Sequence, residues 1–288
     1  MLSKLLKYEL KATSRFFLPL YAALVLLTLI SKLTLSFNFN NFAFTDNIIF
    51  KTIKVLLIIA YVLVILCTSV MTLVLIVMRF YKNMLTDEGY LTHTLPVKAS
   101  THINCKVISA LIWTLLSTVM QTFSIIILLI GTGVLPKVRE MLNLFFTEVR
   151  EAGFLSDVII SIIIVSVSML IAILYSILML YCSLTIGSLF SKHRILGSIV
   201  VYFIINFIAQ IINFVTLTLT TKANFEVTFY NIDTNAYIES FEDVVNYSQT
   251  IINYFDFTII VQSTISIIFI VAFYLLSNFI ISKKLNLD

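Results

Sequence analysis

The sequence predicts an all-α integral membrane protein with six transmembrane helices, and three observations carry that prediction. The chain is 60% hydrophobic and 12% charged, with a mean hydropathy of +1.04, whereas soluble domains are about half apolar. Six apolar runs reach the roughly 20 residues that a bilayer core of ~30 Å demands: Phe16–Phe37, Val55–Met78, Val107–Ile130, Val158–Phe190, Ile195–Leu219 and Phe257–Ile281. Lysine and arginine collect at alternate interruptions between these runs, the pattern that sets membrane orientation.

Residues 1–15 place Leu2, Leu5, Leu6 and Leu10 on one helical face and Ser3, Lys4, Lys7 and Lys11 mostly on the other. A basic amphipathic helix lying along the interface is expected, serving either as an anchor or as a mechanical element. The run that follows is longer than the ~7–15 apolar residues of a secretory signal and lacks a small-x-small cleavage pattern, so it is the first span. Asn38–Lys54 reads as a short outer loop without evident chemistry.

The second span leads into the organising stretch, residues 79–106, which carries Asp87-Glu88-Gly89, His93, Pro96 and His102. Pro96 breaks whatever precedes it, so a short helix near Leu85–Thr94 and a second from about Ser100 into the third span are expected. Its apolar residues Tyr81, Met84, Leu85, Tyr90, Leu91, Leu95 and Val97 suggest a docking surface. Beyond the third span, residues 131–156 form an outer segment with Pro136 at a helix start. There Val138, Leu142, Phe145 and Val149 define one face of an amphipathic helix.

The fourth span is too long for one perpendicular crossing and should tilt or project. Its recurring Ser161, Ser168, Ser176 and Ser183, with Ala172 and Gly187 nearby, read as a close-packing face. In the fifth span Tyr202, Asn206, Gln210 and Asn213 form a polar stripe. Amides in hydrocarbon need partners, and both interhelical bonding and a polar cleft fit. Gln121, with Ser117 and Ser124 on its face, is the candidate counterpart in the third span. Residues 220–256 form a second, acidic outer segment in which Ile238, Phe241, Val245, Ile252 and Phe255 keep helical spacing.

Placing both termini in the cytoplasm puts Lys4, Lys7, Lys11, Arg15, Arg79, Lys82, Lys98, Lys106, Lys192, Arg194, Lys283 and Lys284 inside. Only seven basic residues remain outside, where eleven of the fifteen carboxylates lie. The net charge of +4 therefore follows from topology and implies no nucleic-acid partner. Cys67, Cys105 and Cys182 lie within spans or at the cytoplasmic face, so no disulfide is expected. His93, His102 and His193 lack metal-site spacing, so no metal is expected. Lys32, Asp157 and Asp256 lie toward span ends, and the span midpoints offer no catalytic or proton-relay groups. These features weigh against an intramembrane enzyme, a proton-coupled transporter and a voltage sensor. No glycine-rich phosphate loop ending in Lys-Ser/Thr is present, so no cofactor is expected in this chain.

The basic N-terminal helix, the six spans and above all the run Tyr81-Lys-Asn-Met-Leu-Thr-Asp-Glu-Gly-Tyr-Leu-Thr-His-Thr-Leu-Pro-Val97 resemble permease subunits of type-2 ATP-binding-cassette (ABC) exporters of Gram-positive bacteria. The layout extends over nearly the whole chain, and the specific motif occupies one loop. The resemblance implies a single six-span domain over residues 1–288 in the bacterial cytoplasmic membrane. It also implies a second permease copy or homologous permease, and two cytoplasmic ATPase subunits that hold ATP and Mg²⁺. By the same resemblance, residues 1–15 correspond to the elbow helix. Lys82, Asp87, Glu88, Gly89, Tyr90, Leu91 and His93 correspond to the ATPase-coupling element, with Lys192, His193 and Arg194 as a second contact. Export of an amphipathic peptide, as in the phenol-soluble-modulin exporters, is the leading expectation, with drugs or lipids as other cargo. The two outer segments are larger than those of minimal members. An alternative reading is a sensor or immunity subunit that captures antimicrobial peptide from outside and expels it.

Overall fold

The computed structural model describes residues 2–36, 48–86, 89, 98–131, 133–190, 193–229 and 241–283. Among these residues there are seven helices and no strand: α1 (Leu2–Ser36), α2 (Ile48–Leu85), α3 (Ala99–Leu129), α4 (Val134–Glu151), α5 (Leu155–Gly187), α6 (Arg194–Phe229) and α7 (Phe241–Lys283). All but α4 are long and apolar enough to cross a membrane, so this is a multi-pass membrane protein. Their outward Leu, Ile, Val and Phe side chains are largely exposed, as contact with lipid requires.

The helices run past the predicted spans because the sequence offers few places to stop. It contains six glycines and three prolines, and most of them fall at helix ends. Gly131 and Gly153 take φ of +84° and +82°, the left-handed conformation that closes a helix without a Cβ clash. Elsewhere helix simply continues.

That continuity corrects two expectations. The helix expected over residues 1–15 is, from Leu2 onward, continuous with the first span as the opening turns of α1, whose 35 residues extend about 52 Å at ~1.5 Å per residue. Pro19 lies inside α1 without ending it. Leu2, Leu5, Leu6 and Leu10 are half-buried against protein. Likewise the described flanks of the 220–256 segment are extensions of α6 and α7, with residues 230–240 outside the described set. Nothing between Phe241 and Lys283 is glycine or proline, so the expected rim helix merges with the sixth span. The third span begins as a helix at Ala99, and α4 appears as an amphipathic helix, both as expected.

The chain divides into two compact units, residues 1–142 and 143–288. In the first, α1 packs on α3 and α2. Tyr21 meets Ser117 and Thr28 meets Ser124, each across 96 residues, so α1 and α3 run parallel and in register. Successive partners on α2 descend in number, so α2 runs antiparallel to both. Phe17 stacks on Trp113 with ring centroids 4.3 Å apart, and Tyr21 completes this buried aromatic core. Such a pair contributes about 0.5–1.5 kcal/mol beyond burial.

In the second unit α5 packs on α7 and α6. Ser161 donates to Asp256 across 95 residues, and Gln249 donates to Asp157 across 92; α5 and α7 are therefore also parallel. Tyr175, Phe269 and Phe273 form an aromatic cluster along this seam. At the α5–α6 turn Gly187 lies against the backbone of Ser198, where a Cβ would collide. Of the small-residue face, Ser161, Ser183 and Gly187 pack inward, whereas Ala172 and Ser176 are exposed.

Candidate functional site

Glu9 lies on the same face of α1 as Leu2, Leu6, Thr13 and Phe17, so helix formation carries a carboxylate into the interior of the first unit. A buried charge must be paired. Two cations meet it: Lys106 Nζ lies 2.7 Å from Glu9 Oε1, and Arg79 Nε lies 3.1 Å from the same oxygen. The Glu9 and Lys106 side chains are only 11% and 8% exposed. Asn83, oriented to satisfy both of its neighbours, accepts from Lys106 Nζ and donates to the Arg79 carbonyl, each at 3.2 Å. Three helices are thus tied through one carboxylate that meets two cations.

A ladder of polar bonds continues from it along α3. Trp113 Nε1 donates to Thr13 Oγ1 at 2.7 Å. Ser117 shares bonds with Tyr21 at 2.6 Å and Thr72 at 3.0 Å. Gln121 donates to Thr68 and Ser69 at 2.9 and 3.0 Å, and Ser124 joins Thr28 and Tyr61 at 2.6 and 2.7 Å. Bonds of this kind between membrane helices contribute about 0.6 kcal/mol each. Their sum fixes the register of α1, α2 and α3.

The ion cluster sits at the root of the 79–106 stretch. Phe80, Met84, Leu85, Ile103 and Cys105 are buried around it, Phe80 and Met84 completely. Met84 and Leu85 are therefore interior packing and not docking surface, because the last turn of α2 inserts against its neighbours. Leu85 ends α2, Gly89 is itself helical, and the rest of the expected helix up to Thr94 lies outside the described residues. Gly89 folds back over this turn, its N–H donating to the Thr86 carbonyl at 2.6 Å. A Cβ at Gly89 would come within 2.8 Å of the Met84 carbonyl oxygen, so the close return depends on glycine.

Of the other expected coupling residues, Lys82 is exposed on the last turns of α2. His193 is exposed before α6, and the half-buried Arg194 opens that helix, its carbonyl accepting from Ser198 Oγ at 2.8 Å. Asp87, Glu88, Tyr90, Leu91, His93 and Lys192 lie outside the described residues. Gln121, Ser117 and Ser124 find their partners on α1 and α2. On α6, Tyr202, Asn206 and Asn213 are half-buried and Gln210 is exposed. The Oδ1 atom of Asn213 is buried without a partner among the described residues.

The second unit also holds a groove of about 880 Å³, walled by Phe145, Val149, Phe154, Val158, Ile162 and Ile252, with Glu148 and Glu151 among its lining residues.

Compared with known proteins, the chain matches no family model, no curated protein and no solved structure.

Proposed function

We propose that this chain is the transmembrane permease subunit of an ATP-driven ABC-type exporter. In this reading both termini and the 79–106 stretch are cytoplasmic, and a separate ATPase grips the loop between α2 and α3. Two permease copies, or this chain and a homologous one, assemble with two ATPase subunits in the bacterial membrane. An amphipathic peptide is the cargo.

The observation that supports this most is the root of the loop. Gly89 packs back on the last turn of α2, and nearly two turns before the end of that helix Arg79 fastens it to Glu9 of α1, which also holds Lys106 of α3. Displacement applied to such a loop reaches three membrane helices together, because close-packed interiors transmit strain. ATP and Mg²⁺ in the partner supply the free energy, provided that its two states bind the loop with different affinity. Lys82, Gly89, His193 and Arg194 then stand at the partner's contact face, together with Asp87, Glu88, Tyr90, Leu91, His93 and Lys192.

A second reading, capture of an amphipathic peptide from outside and its expulsion, draws on the apolar groove of the second unit with Glu148 and Glu151 beside it. The order of binding separates the two. Peptide added outside should compete for transport only if capture begins there.

The test of the coupling assignment is a pair of substitutions, Glu88→Lys and Gly89→Pro, introduced in the native strain. Loss of ATP-dependent export with intact membrane insertion supports the reading. Normal export by both variants refutes it.

A further inference from the structure

The first unit contains a cavity of about 250 Å³ between α1 and α2. Its walls are apolar, formed by Phe16, Phe17, Leu75 and Met78, and polar groups of Arg79, Lys82 and Asn83 close one end. Arg79 spends Nε on Glu9, leaving the outer fork of the guanidinium for another anion. Lys82 follows three residues later on α2 and is exposed. Among the described residues Arg79 and Lys82 both line this end of the cavity, so an added anion meets a positive field there. The cavity lies where the apolar runs of α1 and α2 give way to their charged ends, the level at which lipid headgroups reside.

An apolar cleft that ends in cations at headgroup level matches an amphiphile with an anionic head. We propose that this cavity is a binding site for an anionic phospholipid. The headgroup phosphate pairs with Arg79 and Lys82, and the acyl chain lies along Phe16, Phe17, Leu75 and Met78. A bare phosphate would leave the apolar walls unused. A zwitterionic lipid would bring its own cation into the same positive field. The proposal is independent of export, since it requires neither an ATPase nor a cargo.

The test is lipid retention by the purified full-length chain, read by native mass spectrometry after exchange into detergent containing phosphatidylglycerol or phosphatidylcholine. The chain should retain phosphatidylglycerol in preference. Lys82→Gln should lower retention by about fivefold, the worth of one basic residue beside an anionic surface. Met78→Trp, which fills the apolar wall and spares both cations, should lower it as well. Lys82 is exposed and stands outside the Glu9 cluster, so its variant keeps the fold. Equal retention of the two lipids, or unchanged retention in both variants, would overturn the proposal. So would displacement of phosphatidylglycerol by millimolar inorganic phosphate, which would mark a simple anion site.

Discussion

Lys106 Nζ and Glu9 Oε1 lie 2.7 Å apart across two parallel helices, and Arg79 reaches the same oxygen from a third. One carboxylate thus sets the spacing of α1, α2 and α3 at the root of the 79–106 stretch.

Removing that carboxylate should be more damaging than removing an exposed charge. Glu9→Gln removes the carboxylate that Lys106 and Arg79 share, and breaking a buried pair from one side costs about 3–5 kcal/mol. Thermal unfolding of the detergent-solubilised variant should show a clear drop in midpoint. Lys4→Gln, at an exposed position on the same helix, should leave the midpoint nearly unchanged.

Trp113 is the only tryptophan in the chain, and it is packed on Phe17 and bonded to Thr13. Its fluorescence therefore reports the α1–α3 seam. Thr13→Val should shift the emission and cost about 0.6 kcal/mol, the usual worth of such a bond in a membrane bundle. Trp113→Ala should cost about 3–5 kcal/mol, measured by unfolding with a second probe.

In the second unit the decisive close approach is Gly187 against the Ser198 backbone. Gly187→Leu must push α5 and α6 apart and should destabilise by about 1–3 kcal/mol, as over-packing does. Gly133, where an added Cβ meets nothing within 4 Å, separates clash from backbone preference. Gly133→Leu should cost only the strain of its φ of +76°.

Much of this fold was legible in the sequence because hydropathy and helical spacing are local properties. Six apolar runs became six long helices, and the face Val138, Leu142, Phe145 and Val149 belongs to α4. Helix ends were less legible. Continuation past Arg15 into the first span, and from Phe241 into the sixth, depends on the scarcity of glycine and proline more than on apolar pattern. The ion cluster was the principal omission. In the sequence Arg79 and Lys106 speak only to orientation, and Glu9 has no evident role. The signal was present nonetheless: Glu9 is the sole carboxylate before Asp46, and it stands on the apolar stripe of an amphipathic helix. A charge on that stripe requires a partner, but only packing names it. Similarly, composition makes Gln121 a counterpart for the polar stripe of the fifth span, whereas the hydroxyls of Thr68 and Ser69 on α2 receive its N–H groups.

A separate ATPase that grips the loop between α2 and α3, as proposed, should come away with the chain. The most direct measurement is gentle affinity purification of the full chain from its native membranes, followed by quantification of co-purifying soluble proteins. Recovery of an ATPase in equal amount, lost when residues 87–93 are replaced by a Gly/Ser linker, is the predicted result. A chain that emerges stable and without an ATPase would contradict the account.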